Sequence, residues 1–482
     1  MEEHKITTTI SCNNNLDYLK LAIKSVRQNC YYKDMPFIIH AENCNDGTDE
    51  WLEENKEKYD LEIYIDHNNQ PKGIGGGMDF CVNKVKTEFV NIIHADMWCA
   101  PNQDLELLKM YKGVAHPLIV SSFRIQPKVF PQDPDYRPGT VFHPIDEFGE
   151  YHHNFDSDYF DEWATEFSKM NDSIVRKAGG AGFFCRVKDY KAIGGNDPLF
   201  APASWEDMDL FIRMQLKDYE FKMTSKSILW HFGARGSHFR DEAKDDFTKK
   251  SIRQQKSEEA NMQKWVRKWG RMPDHDSETF VKPITDSKVD PVITTDIGLW
   301  MDPKEVKLME KYIKPTDVML EYGAGGSTTY LPKLVDKYYS IEHLEGWYLK
   351  VWSSIEKNKL LNDTHNNVSI HHINPDILRS ETGATGPRSY QEFQTYIEFP
   401  KTFDTKFDKV LIDGRARPHC AIFILKYLKE DSMVFIHDFW ARPQYHNVLE
   451  YYDEVESVKD TIVQTGGSMV ALKPKNQTLR GL

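Results

Sequence analysis

The residues able to do chemistry fall into two sets, and most members of each follow a strand-like run. In the first half, Asn45-Asp46-Gly47-Thr48-Asp49 forms an acidic turn, and His94-Ala95-Asp96-Met97 follows a short apolar run. Gly179-Gly180-Ala181-Gly182-Phe183 comes later, then Trp205-Glu206-Asp207-Met208-Asp209 and Trp230-His231-Phe232-Gly233. This order suits transfer of a group away from a diphosphate, whose growing negative charge is neutralised by a divalent cation such as Mn2+ or Mg2+. A carboxylate at a strand end can hold that cation. A second, positioned carboxylate must take the proton of an acceptor hydroxyl, and a further acid near the nucleotide can bind base or ribose hydroxyls.

Simpler readings stand beside these. Asp46 to Asp49 also fits an Asx-type turn with a helix cap. Asp96 also fits a strand terminator. Ser204-x-x-Asp207 fits a capping box, in which Asp207 would serve backbone amides alone. His231, beside Trp230, also fits a packed histidine. Gly179 to Gly182 allows close backbone approach to a ligand or a plain turn.

In the second half, Glu321-Tyr322-Gly323-Ala324-Gly325-Gly326-Ser327-Thr328 follows a strand and opens a helix, and the next strand ends at Ser340-Ile341-Glu342. Glycines there let the backbone approach a cofactor, and the later acid suits ribose hydroxyls. A nicotinamide dinucleotide site wants a third glycine where this chain has Thr328, and a helix N-terminus open to pyrophosphate. Glu321 would repel pyrophosphate, whereas S-adenosylmethionine carries no phosphate, and Glu321 can organise its methionine amine through water. The pattern therefore points to S-adenosylmethionine, with the nicotinamide reading as the competitor. Asp413 (Ile412-Asp413-Gly414-Arg415) and Asp438 (Ile436-His437-Asp438) end two later strands. They form either a metal-binding acid pair that orients an acceptor hydroxyl or partners in salt bridges to Arg415, Arg417 or Arg442. His437 or His419 could instead remove the acceptor's proton, and Arg415, Arg417 and His419 could bind an acidic acceptor.

These residues need scaffolds, and the periodicity supplies them. Strand-like runs at Ile6–Ser11, Phe37–His40, Leu61–Ile65 and Phe89–Ile93 alternate with helical spacing at Leu16–Gln28, Trp51–Lys58 and Gly75–Val85. Such alternation implies an α/β fold with a mainly parallel sheet and ligands at the carboxyl ends of its strands. Residues 126–165, with His143, His152 and His153, break the rhythm as a lid or a solvated excursion. The chain turns helical and charged from Lys244 to Gly270, and the polar, proline-bearing stretch Met272–Pro291 marks the domain boundary. A second alternation runs through Val318–Glu321, Tyr338–Glu342, Val368–His372, Lys409–Asp413 and Met433–His437, and ends in two short strands around Gly466-Gly467. Domains of 1–285 and 290–482 follow.

Composition narrows the class. The chain has 482 residues, too many for one ordinary core. A formal net charge of −13 argues against a general nucleic-acid or anionic-membrane binder, while 12% aromatic residues suit pockets that stack on sugars or bases. No apolar signal region opens the chain, and no run approaches the roughly 18 apolar residues of a membrane span. The seven cysteines are scattered and never spaced CxxC, which fits reduced thiols in a cytoplasmic protein with no zinc site. Nothing in the sequence fixes the oligomeric state.

The ordered motifs of the first half, with the closing Lys264-Trp265-Val266-Arg267-Lys268-Trp269-Gly270 helix, resemble family-2-like glycosyltransferases of the GT-A fold. That resemblance implies a Rossmann-like mixed sheet and inverting transfer from a nucleotide-sugar donor to a glycan or glycoconjugate acceptor. It also assigns roles: Asp46 at the nucleotide, Asp96 as the metal end of the family's DxD, Asp207 as catalytic base with Glu206 the next candidate, and His231 as a possible third ligand. This chain departs in having His94-x-Asp96, and imidazole can bind such a metal or hydrogen-bond a phosphate. Residues 296–475 resemble class I S-adenosylmethionine-dependent methyltransferases, which implies a seven-stranded Rossmann-like sheet whose last strands are antiparallel. Glu321, Gly323 and Gly325 would then line the methionine part, Glu342 would bind ribose and Asp376 would face adenine. The Asp413/Asp438 pair looks like that of metal-dependent O-methyltransferases, with Phe439 where that family usually has Asn. The expectation is a sugar transferase fused to a hydroxyl methylase. The alternatives are an active transferase with a dead methyltransferase-like domain, a glycan-binding scaffold, or a nicotinamide-dependent second half.

Overall fold

The strands of both halves form where runs of β-branched and aromatic residues can be covered from each side. In chain order they are β1 (Ile6–Cys12), β2 (Phe37–Glu42), β3 (Glu62–Asp66), β4 (Phe89–His94), β5 (Met97–Cys99), β6 (Leu118–Pro127), β7 (Tyr136–Arg137), β8 (Thr140–His143), β9 (Val175–Arg176), β10 (Phe183–Arg186) and β11 (Glu220–His231). The second half adds β12 (Val318–Tyr322), β13 (Lys337–Glu342), β14 (Val368–His372), β15 (Phe407–Ile412), β16 (Leu428–His437), β17 (Tyr452–Val458) and β18 (Met469–Pro474). The computed structural model describes residues 5–67, 71–127, 136–137, 140–143, 145–171, 175–176, 180, 182–233, 252–274, 281–282, 284–377, 390–440, 442–459 and 468–475. The expected turn at Gly466-Gly467, together with Gly179 and Ala181, lies outside them.

The chain divides into two units, Met1–Ile293 and Thr294–Leu482. The polar stretch up to Pro291 belongs to the first unit, because Arg213 donates to the carbonyls of Pro291 and Ile193 and the Ile293 N–H donates back to Ile193.

The first sheet runs β3-β2-β1-β4-β10-β6-β11-β5. It starts parallel, as the alternation implies, but β10 lies antiparallel between β4 and β6, and β6 pairs parallel with β11. The sheet is therefore mixed, as in the GT-A fold. Helix Leu16–Asn29 buries Leu19, Ala22, Ile23 and Val26, a spacing that puts one stripe on the sheet. Each fully buried aliphatic side chain of that kind contributes roughly 1.5–3 kcal/mol. A separate aromatic cluster of Trp98, Phe123, Phe148, Phe160 and Trp230 surrounds the ends of β5, β6 and β11.

The second sheet runs β14-β13-β12-β15-β16-β18-β17, parallel from β14 to β16 and antiparallel at β18 and β17. This is the seven-stranded arrangement with a reversed end expected of a class I methyltransferase-like sheet. All seven cysteines are free and buried. Among the described residues, no helix is long and apolar enough to cross a membrane.

Candidate functional site

In the first unit, β4 and β11, with β10 and β6 between them, carry polar residues to one end of the sheet. β4 ends at His94, and β11 ends at His231, which pairs with Met97 of β5. The short link between β4 and β5 holds Asp96, whose carbonyl accepts the Phe232 N–H at 3.0 Å. Ligating atoms of His94, Asp96 and His231 all lie within 4.8 Å of one another, a set able to hold a metal ion. His231 Nε2 stands 3.5 Å from Asp96 Oδ2 and its Nδ1 stands 2.9 Å from Gln126 Oε1. The imidazoles suit a borderline divalent transition metal, and the carboxylate suits a harder cation such as manganese. Among the described residues this is the one such cluster.

The carboxylate pair is set by backbone strain and by a distant helix. Ser204 (φ 80°) and Trp205 (φ 76°) both adopt left-handed backbone, which costs on the order of 1–3 kcal/mol each. Helix Ile252–Trp269 holds them there. The Asn261 amide donates to the carbonyls of Phe200, Ala203 and Ser204, and Trp205 Nε1 donates to the Glu258 carbonyl at 3.2 Å. Below, the fully buried pair Arg213–Asp209 (2.7 Å) is joined by Lys268 and by Trp269 Nε1, which locks helix Glu206–Gln215 to the same distant helix.

The helix starts one residue later than the capping-box alternative needs, with Trp205 as its N-cap. Trp205 makes no side-chain cap bond, and Asp207 Oδ1 accepts the adjacent Met208 N–H at 2.7 Å. Burial lifts the Asp207 carboxyl above its ordinary range, against the opposing pull of the Met208 amide and the Arg124 charge. Burial, then the Asp207 charge, raises Glu206 further, and one Glu206 oxygen is buried without a hydrogen-bond partner. A carboxylate with a raised pKa is a stronger base when it ionises.

Strand β6 links the two groups. Arg124 and Gln126 stand two residues apart and so share a face; the first acts on Asp207 and the second on His231. Sequence reasoning missed both, because β6 was not read as a strand. Asn261 was missed because one asparagine in a charged helix carries no pattern.

Asp46 is occupied by its own chain. Its carboxylate accepts the Leu16 N–H at 3.1 Å and the Thr48 hydroxyl at 2.6 Å, so it fastens the starts of two helices. Nearby, His40 bridges Ser11 (3.2 Å) and Asp66 (3.0 Å), and Lys72 also reaches Asp66. These polar residues at the ends of β1 to β3 were likewise not singled out. Gly182 (φ 80°) faces Met97 and Leu229, so its lack of a side chain serves packing.

In the second unit, Gly323 is required twice: its φ is 97°, and a Cβ there would lie 2.5 Å from the Gly414 backbone. Gly325 is extended and unobstructed. Glu321 is fully buried and accepts the hydroxyls of Ser327, Thr328 (2.6 Å) and Ser340 (2.6 Å). Burial pushes it up to about 7, despite those bonds. Glu342 braces the glycine loop, taking the N–H groups of Ala324 (3.0 Å), His343 (2.8 Å) and Leu344 (2.7 Å). It is 3% exposed. Asp376 accepts the Thr395 N–H at 2.8 Å and is exposed.

The expected acid pair takes its salt-bridged form. Arg417 stands 3.1 Å from Asp413 and 3.5 Å from Asp438, and Arg442 stands 3.2 Å from Asp438. His437 lies between Asp413 (2.8 Å) and Glu305 (3.3 Å). Burial opposes its charge, but those carboxylates, with Asp438, outweigh burial and push it up to about 10. At that value it is an imidazolium at neutral pH. Burial would raise Asp413, but Arg417, His437 and Arg442 hold it below the usual range. Asp438 is correspondingly a salt-bridge partner, not part of a metal cluster among the described residues. Burial lowers His419, leaving a neutral imidazole.

Comparison with known proteins bears on the first unit. Residues 8–171 match the family described as Glycosyl transferase family 2, a span that includes Asp46, His94 and Asp96 and stops before Asp207 and His231. No curated protein matches the chain. Solved structures with some likeness include a methyltransferase-like protein from Silicibacter pomeroyi (21% identity, 39% of this chain and 96% of that one, TM-score 0.29). Two others are GalNAc-T7 with UDP, GalNAc and Mn2+ (12%, 47% and 43%, 0.35) and S. aureus TarS (12%, 47% and 36%, 0.32). The chain spans less than half the length of the last two. At such scores these likenesses assign no activity.

Proposed function

We propose that the first unit transfers a sugar, with inversion, from a nucleotide-sugar donor to a hydroxyl of a glycan or glycoconjugate. The observation that carries this is the His94, Asp96 and His231 set at one end of the sheet. Mn2+ or Mg2+ held there would neutralise the leaving diphosphate. Asp207, with its raised pKa and Arg124 nearby, is the base that takes the acceptor's proton, and Glu206 is kept neutral beside it. Asp46 acts on the nucleotide through the turn it organises. The test is hydrolysis of nucleotide sugars by the purified chain with Mn2+. Activity is expected with at least one donor and lost in Asp207→Asn; an unaffected variant would sink the assignment of the base.

For the second unit we propose binding of S-adenosylmethionine at the Gly323 loop. The intended reaction of such a fold is methylation of a hydroxyl, on the product of the first unit if both sites share an acceptor. The Arg417 and Arg442 bridges support the second reading, in which this unit binds the cofactor without metal-assisted methyl transfer. Thermal shift with S-adenosylmethionine against NAD separates these from a nicotinamide enzyme. Methyl incorporation into glycosylated acceptor then separates an active from a silent unit.

A further inference from the structure

Resting on the reading that His94, Asp96 and His231 hold a divalent cation, we propose that Gln126 is a positioning residue for that centre, fixing the tautomer and ring orientation of His231. The register of β6 and β11 pairs Ile125 with Trp230, which sets Gln126 beside His231. Neighbours in a parallel pair point to the same face. Gln126 is 9% exposed, and its Oε1 lies 2.9 Å from His231 Nδ1. A carbonyl oxygen can only accept, so Nδ1 carries the hydrogen. The lone pair of a neutral ring then sits on Nε2, the nitrogen 3.5 Å from Asp96 Oδ2. A metal-bound histidine depends on such a partner for its orientation and basicity, and loss of the partner typically costs about 10–100-fold in metal affinity. Both residues sit on adjacent strands, not on loops, so the ring is aimed before any ion arrives.

The test is Mn2+ titration of the full chain, with no nucleotide sugar, read from the electron paramagnetic resonance signal of free Mn2+. Gln126→Leu removes the acceptor and is expected to weaken Mn2+ binding about 10–100-fold, while Gln126→Glu keeps an acceptor oxygen and restores binding. His231→Ala serves as the control for the centre itself. Wild-type affinity in Gln126→Leu, with binding lost in His231→Ala, would overturn the positioning role and leave the metal reading standing. Equal weakening in the leucine and glutamate variants would mark a packing role and overturn it too. Absence of Mn2+ binding by the wild-type chain would remove the metal reading and this inference together. Should Gln126→Leu fail to fold, Gln126→Glu alone decides, since loss of affinity in a folded glutamate variant contradicts the proposal.

Discussion

Asp96 and Glu342 are both acids that follow or end a sheet strand, and their surroundings give them opposite work. Asp96 shares its place with two imidazoles, His94 and His231, groups that offer lone pairs to a cation. Glu342 is met by three backbone N–H groups, which already neutralise it. The same contrast runs through both units. Asp207 accepts the adjacent Met208 amide with the Arg124 charge nearby, whereas Asp413 and Asp438 face two arginines and an imidazolium. Position at a strand end is thus a weak guide to a ligand site. The balance of donors and acceptors around the acid is the stronger one.

The most severe way to break this comparison is at the acids of the first unit. Asp207→Asn is expected to lower sugar transfer about 10²–10⁴-fold, the usual worth of a positioned base, with little change in melting temperature. A large loss of stability with activity per folded molecule preserved would move Asp207 to the structural side. The next effect concerns the support beneath it. Arg213→Met leaves Asp209 buried at 0% exposure with only Lys268 and Trp269 as partners. Loss of about 3 kcal/mol is expected from urea denaturation, since an ion-pair partner inside the protein is removed. A change below about 0.5 kcal/mol would show that Lys268 compensates fully.

Legibility followed the same physics. Strands β1 to β4 and β12 to β15 are runs whose apolar character and spacing are local, so they could be read within about two residues of their ends, while β16 starts five residues before the run read for it. The order β4-β10-β6-β11 was not legible, because antiparallel insertion of β10 depends on contacts between residues far apart in sequence. With it went Arg124 and Gln126. The metal trio was legible as types and order, since His94-x-Asp96 is local and Trp230-His231 is distinctive. The state of His437 was not, because it is set by Asp413 and then by Glu305, both remote in sequence and brought to the ring only by the fold. The left-handed backbone at Ser204 was not legible either, because Asn261 holds it from a remote helix.

The second unit's satisfied acids can be probed with pH. His437 is held as an imidazolium with a pKa of about 10 against an ordinary 6.5. Its contribution is fully present below about pH 6.5 and is lost as pH rises toward 10. Stability of the second unit is expected to fall by a few kcal/mol (on the order of 3) across that range, and His437→Gln should flatten the slope. A slope that survives the substitution would place the titrating group elsewhere.

Glu321 gives the smaller and finer test. Its carboxyl is pushed up to about 7, so ionising it inside the folded protein is a cost that grows between its ordinary 4.5 and 7. At pH 5 the neutral acid and its three hydroxyl partners are at their most stable. At pH 8 the buried charge subtracts roughly 2–3 kcal/mol of that advantage. Glu321→Gln cannot ionise and keeps one acceptor oxygen, and the hydroxyls of Ser327, Thr328 and Ser340 can rotate to accept from its amide. The variant should therefore be less stable than the parent at pH 5 and within about 1 kcal/mol of it at pH 8. Equal losses at both pH values would mean that the hydroxyls stabilise the charge more than burial opposes it. Glu321 would then be an acid held ionised by its own chain.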